Sequence, residues 1–103
     1  MATNDGPVCK YLQVSTGNLS KETAQLFERY TSPDREPCEG NFGLPVAYNK
    51  GEYGWFAHVP DDNEGIEPPE LCALLDYARS LGCNWIEFDC DNDPLDGFPV
   101  FDW

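Results

Sequence analysis

Apolar side chains in "LCALLDYARSLG" fall at Leu71, Leu74, Leu75, Ala78 and Leu81, the spacing of one helical face. Pro68 and Pro69 suit the first helical positions, where a missing N–H costs nothing. Gly82, just after Arg79, stands where a left-handed residue closes a helix. A second helical pattern runs through "GNLSKETAQLFERYTSP". There Thr23, Leu26, Phe27 and Tyr30 share a face. Ser20 is placed as N-cap, Glu22 complements the dipole in the first turn, and Leu19 can staple onto Ala24. Pro33 marks the end. Elsewhere the pattern is extended. "VCKYLQVST" predicts a strand ending near Gly17. "LPVAYNKGEYGWFAHVP" predicts a hairpin with strands over 46–48 and 53–59, turning through "NKGE". Pro45 delays the first of these strands or puts it on an edge. "CNWIEF" is a short apolar strand, and "FPVFDW" predicts a final one.

The predicted order is β-α-β-β-α-β plus a terminal strand. This is the pattern of an α+β, ferredoxin-like (split βαβ) two-layer sandwich, with two helices on one face of an antiparallel sheet and an extra C-terminal strand. The other sheet face is expected to be partly open, with Trp55, His58 and Trp85 as its exposed aromatic residues. At 103 residues the chain is expected to be a single domain over 1–103, with 1–7 as a flexible leader. No repeat or low-complexity tract interrupts it.

Charge changes this picture. Six basic and nineteen acidic side chains give a formal net charge of −13. Residues 1–60 carry a balance of −2, and residues 61–103, with Arg79 as their one base, carry −11. Such acidity with low hydrophobicity predicts disorder. Yet 41% hydrophobic residues, with three Trp, five Tyr and six Phe, supply a core, so the chain is expected to fold. The acidity argues against direct contact with nucleic acid, which needs Lys and Arg to displace counterions. It argues equally against anionic membranes, and no apolar run approaches the roughly 20 residues of a spanning helix. A basic protein surface is the partner that the charge favours.

Cys9, Cys38, Cys72, Cys83 and Cys90 are odd in number and include no C-x-x-C pair, and "MATNDGPVCK" is no signal peptide. The reading is reduced thiols in the cytoplasm. With one histidine, His58, no zinc spacing is met, and no cofactor is expected. A Cys–His nucleophile fails because no constellation supports it.

The acidic cluster in "WIEFDCDNDPLDGFPVFDW" poses the sharpest question. Asp89, Asp91 and Asp93 occupy positions 1, 3 and 5 of an EF-hand-like loop. Position 6, however, is Pro94 in place of Gly, and position 12 is Val100 in place of Glu. The apolar strand ending in D-x-D looks like that of haloacid-dehalogenase-type phosphatases, but no Lys follows Asp89. What remains is an interaction face. Asp61, Asp62, Glu64, Glu67 and Glu70 are expected to merge with Asp89, Asp91, Asp93 and Asp96 into one acidic patch, with Trp55, Phe98 or Trp103 as aromatic anchors.

The segments "QVSTGNLSKETAQLF", "YGWFAHVP" and "LLDYARSLGCNWIEFDCDNDPLDGFPVFDW" resemble an uncharacterised family of small acidic proteins, classed as a domain of unknown function. Members are encoded on bacterial plasmids, integrative elements and phages. The resemblance implies a mobile-element accessory protein and carries no catalytic residues. Genes in that setting often encode inhibitors of host restriction, CRISPR or regulatory systems, several of which are acidic nucleic-acid mimics. The expected function is therefore a non-enzymatic acidic module that binds a basic surface of a defence or nucleic-acid-handling protein. The alternative is a small metal-binding or metal-dependent protein using the 89–96 loop. A homodimer through the open sheet face or through the edge strand is a third reading.

Overall fold

The computed structural model describes residues 10–33, 42–51 and 53–101. In chain order these form β1 (Tyr11–Ser15), a short 3₁₀ turn (Thr16–Asn18), α1 (Lys21–Thr31), β2 (Ala47–Asn49), β3 (Gly54–His58), α2 (Pro69–Ser80) and β4 (Trp85–Asp89). The leader expected over 1–7 lies outside the described residues. Up to β4 the order of helices and strands is the one that the hydrophobic pattern predicts, and the class is α+β.

The sheet order is β1-β4-β3-β2. β1 pairs with β4 in parallel, from Tyr11↔Trp85 to Ser15↔Asp89, while β3 is antiparallel to both β4 and β2. The sheet is therefore mixed, where an antiparallel one was expected. β3 and β4, joined through α2, are neighbours, so this half is not a split crossover. Apolarity explains the order: Ile86 and Phe88 of β4 are fully buried, whereas β1 exposes Tyr11 and Gln13. The two strands with the most buried residues, β3 and β4, take the central places and β1 takes an edge.

Alternation sorts the side chains by face. Leu12 and Val14, Ile86 and Phe88, Trp55 and Ala57, and Ala47 point to the core. Against them lie Ala24 and Phe27 of α1 and Leu71, Leu74, Leu75 and Ala78 of α2. Phe27 stacks on Trp55 at 5.5 Å and tilts against Phe88 at 5.7 Å. The caps follow the sequence. The Ser20 hydroxyl accepts from the Thr23 N–H, and Leu19 and Ala24 are both buried. Pro69 opens α2, and Gly82, at φ +77°, donates its N–H to the Arg79 carbonyl. Leu81 is exposed because α2 ends one residue before it.

Two features hold the strands in place. Gly54, at φ +153°, packs so closely on β4 that a Cβ would collide with the Phe88 carbonyl; only glycine fits there. The buried amide of Asn18 donates to the Pro99 carbonyl at 3.0 Å and accepts the Leu95 N–H at 2.8 Å. Phe101 adds an N–H bond to the Gly17 carbonyl. Residues 92–101 thus form an irregular strap over the end of β1, where a strand over "FPVFDW" was expected. The Leu95 and Phe101 amides are committed to Asn18 and to the Gly17 carbonyl, and no ladder forms among the described residues.

Candidate functional site

The second sheet face carries Tyr11 and Gln13 of β1, Tyr48 of β2, Phe56 and His58 of β3, and Trp85, Glu87 and Asp89 of β4. Its two ends differ in chemistry.

At one end Lys50, in the β2–β3 turn, donates to Glu87 at 2.9 Å and also to Asp89. Glu87 further accepts from Gln13 at 3.1 Å and from Asn92 at 3.3 Å. Asp89 also accepts the Asp91 N–H at 2.8 Å, as in an Asx turn. The bonds to Asp89 and then Glu87 hold the Lys50 ammonium above its usual pKa. The Lys50 bond, against the opposing effect of burial, holds Glu87 below the carboxylate range. The same lysine, helped by the Asp91 amide, lowers Asp89. Two carboxylates and one ammonium leave this group with one net negative charge.

At the other end four rings gather. Tyr11 and Phe56 lie two strands apart yet lean together edge to face, with centroids 6.3 Å apart. Tyr48 and Trp85, also two strands apart, approach to 5.9 Å. His58 meets the Trp85 ring edge to face at 5.2 Å. Tyr11, Tyr48, Phe56 and Trp85 line a shallow depression of about 360 Å³. Tyr11 and Tyr48 are more than half exposed, so the ring surface faces solvent. Sequence reasoning missed Tyr11, Tyr48, Phe56 and Lys50. The signal was present for Tyr11, which alternates with the inward Leu12 and Val14.

The structure places Trp85 and His58 on this face, as expected. Trp55 is the correction: it lies inward at 7% exposure, stacked on Phe27. "GWFAH" alternates in two phases, and the large core ring of Phe27 selects Trp55 with Ala57. Trp55 therefore belongs to the core and not to the open face. Phe98 is half-buried against Tyr77, 5.3 Å between centroids, and Trp103 lies outside the described residues.

Of the acids expected in one patch, Glu70 departs. Glu70 turns inward, accepting the Ser20 N–H at 3.0 Å and the Thr23 hydroxyl at 2.6 Å. Glu64, Glu67, Asp61 and Asp62 are exposed, as are Asp91, Asp93 and Asp96. His58 pairs with Trp85, and Gly54 with Asp89. Asp61 and Asp62 therefore leave the sheet from the ring-bearing end, and residues 89–96 from the opposite end. The strand between them spans roughly 13 Å, longer than the Debye length of about 8 Å at physiological salt. The 61–64 and 89–96 groups thus follow opposite ends of the β3–β4 pair. Glu67 is held at the start of α2, its N–H bonded to the Gly43 carbonyl at 3.0 Å.

Asp89, Cys90 and Asp91 bring ligand atoms within 4.8 Å of one another. Asp93, the third aspartate of the EF-hand-like spacing, is not in this group, and Lys50 already holds Asp89. Cys72, Cys83 and Cys90 are free thiols; Cys9 and Cys38 lie outside the described residues. Burial raises the Cys72 pKa, and its Sγ reaches the Ile66 carbonyl. Among the described residues, no helix is long and apolar enough to cross a membrane.

The model of a family of unknown function, the DUF5983 C-terminal domain, matches residues 11–103. The chain belongs to the DUF5983 family. The match begins at the first residue of β1 and spans every element of the fold. No curated protein and no solved structure matches the chain. What this DUF5983 domain does must be read from its own surface.

Proposed function

We propose that this domain is a non-enzymatic interaction module that binds a basic surface of another protein through its open sheet face. The observation that carries the reading is the exposed four-ring depression on a domain of net charge −13. Aromatic rings supply contact energy in protein interfaces, and charge supplies encounter rate and sign selectivity. Glu87, the cross-strand neighbour of Phe56, borders the rings on the sheet, and Asp61 and Asp62 follow β3 at its His58 end. The finer reading is an inhibitor from a bacterial mobile element that displaces nucleic acid from a cytoplasmic defence protein. It rests on net charge and on the family resemblance.

The test pairs affinity capture with titration of the purified captured protein against two variants. Tyr48→Ala should weaken binding by tenfold or more, an effect on the order of 1.4 kcal/mol or larger for an aromatic anchor. Asp61→Asn/Asp62→Asn should flatten the salt dependence. If both variants bind like the wild type, the open face is not the binding face. Competition by DNA or RNA would support the mimic reading, and its absence would remove it.

A further inference from the structure

We infer that the ring depression receives an arginine side chain of the basic partner; this deepens the interaction-module reading and rests on it. The lining is wholly aromatic: Tyr11, Tyr48, Phe56 and Trp85. Aromatic faces attract cations, and a planar guanidinium stacks on them while remaining more weakly hydrated than an ammonium. This chain already uses that chemistry twice. The Arg29 guanidinium lies 4.7 Å above the Phe42 ring, and the Lys50 ammonium lies 5.5 Å from the Phe56 centroid.

Charge selects a cation over a neutral apolar group. The Lys50–Glu87–Asp89 group beside Phe56 is negative by one unit, and Glu87 is the cross-strand neighbour of Phe56. Asp61 and Asp62 leave from the ring-bearing end. Lys10, the base nearest in sequence, turns its amine to the Leu81 carbonyl at 3.3 Å. A shallow, open depression also suits a flat group that can stack with its remaining N–H donors in water.

The experiment titrates the isotope-labelled full chain with two tripeptides, acetyl-Gly-Arg-Gly-amide and its citrulline counterpart, and follows Trp85 and its neighbours by NMR. Citrulline keeps the shape of arginine and removes the charge. The expected result is saturable shifts at Tyr11, Tyr48, Phe56 and Trp85, with arginine about two- to fivefold tighter at 0.15 M salt. Tyr48→Leu and Phe56→Leu should abolish that preference, and two variants guard against one failing to fold. Equal binding of the two peptides, no binding of either, or arginine shifts confined to the carboxylates would each overturn the inference. So would concentration-dependent shifts of the ring residues without peptide, which would give the face to a second copy of the chain. A captured basic protein that needs the open face yet ignores the arginine–citrulline change would sink this inference and leave the broader reading standing.

Discussion

The carboxylate of Glu70 accepts the Thr23 hydroxyl at 2.6 Å, so the first turn of α2 caps the first turn of α1. The same oxygen accepts the Ser20 N–H at 3.0 Å, and the Ser20 hydroxyl in turn receives the Thr23 N–H. Burial works to raise the Glu70 pKa, but the bonds from Thr23 and Ser20 prevail and lower it. Glu70→Ala removes both bonds and leaves the Ser20 N–H without its acceptor. The expected cost is about 1–2 kcal/mol. Thermal unfolding followed by circular dichroism should show a Tm fall of roughly 4–16 °C. An unchanged Tm would mean that the two helices do not depend on this contact.

Legibility in the sequence stops where the partner lies far along the chain. The inward face of α2 was readable because Leu71, Leu74, Leu75 and Ala78 repeat locally. The Ser20 cap and the Gly82 stop were readable for the same reason. Glu70 looked like one more surface acid because its partners are 47 and 50 residues away. Lys50 looked like turn chemistry because Glu87 and Asp89 are 37 and 39 residues away. Strand order failed similarly. Nothing local to "YLQVS" says that it will lie parallel to "WIEFD" at the edge. The phase of "GWFAH" depended on Phe27, a residue of another element.

Lys50→Met should destabilise the domain by about 2–3 kcal/mol at pH 7, because buried Glu87 keeps its charge and loses its cation. The pH dependence has a definite sign. Glu87 and Asp89 titrate lower when folded, so their contribution is complete above the unfolded carboxylate range near about pH 4. It is lost as pH falls through the folded values. Lys50 titrates higher when folded, so its contribution is complete below about pH 10.4 and is lost as pH rises through its raised value. Denaturant melts of wild type and variant across pH 3–8 should show the gap closing below about pH 4. A gap independent of pH would show that the variant loses packing rather than an ion pair.

Asn18→Ala should release the strap over 92–101. The substitution leaves the Leu95 N–H and the Pro99 carbonyl without their shared partner. Losing two hydrogen bonds from a buried amide costs on the order of 2–3 kcal/mol. Much of the loss should appear locally, so hydrogen exchange at Leu95 should accelerate more than at the amides of Ile86 and Phe88. Equal acceleration at all three would mean that the strap and the sheet open together.

Asp91, Asp93 and Asp96 carry more charge than Asp61 and Asp62, but they sit at the wrong end of β4 to steer a partner onto the rings. All five are exposed, so Asn at these positions should alter stability within about 0.5 kcal/mol. Their effects on association should differ. Asp61 and Asp62 follow His58 at the Trp85 end of β3, whereas the 91–96 group follows Asp89 at the other end of β4, a strand length of roughly 13 Å from that end and beyond about 8 Å of screening. Asp61→Asn/Asp62→Asn should therefore lower the association rate with a captured partner more than the triple variant of Asp91, Asp93 and Asp96. The difference should widen as salt is reduced and vanish at high salt. Stopped-flow kinetics across an ionic-strength series measures both. A triple variant that slows association more than the double one would move the binding face to the 89–96 end and away from the rings.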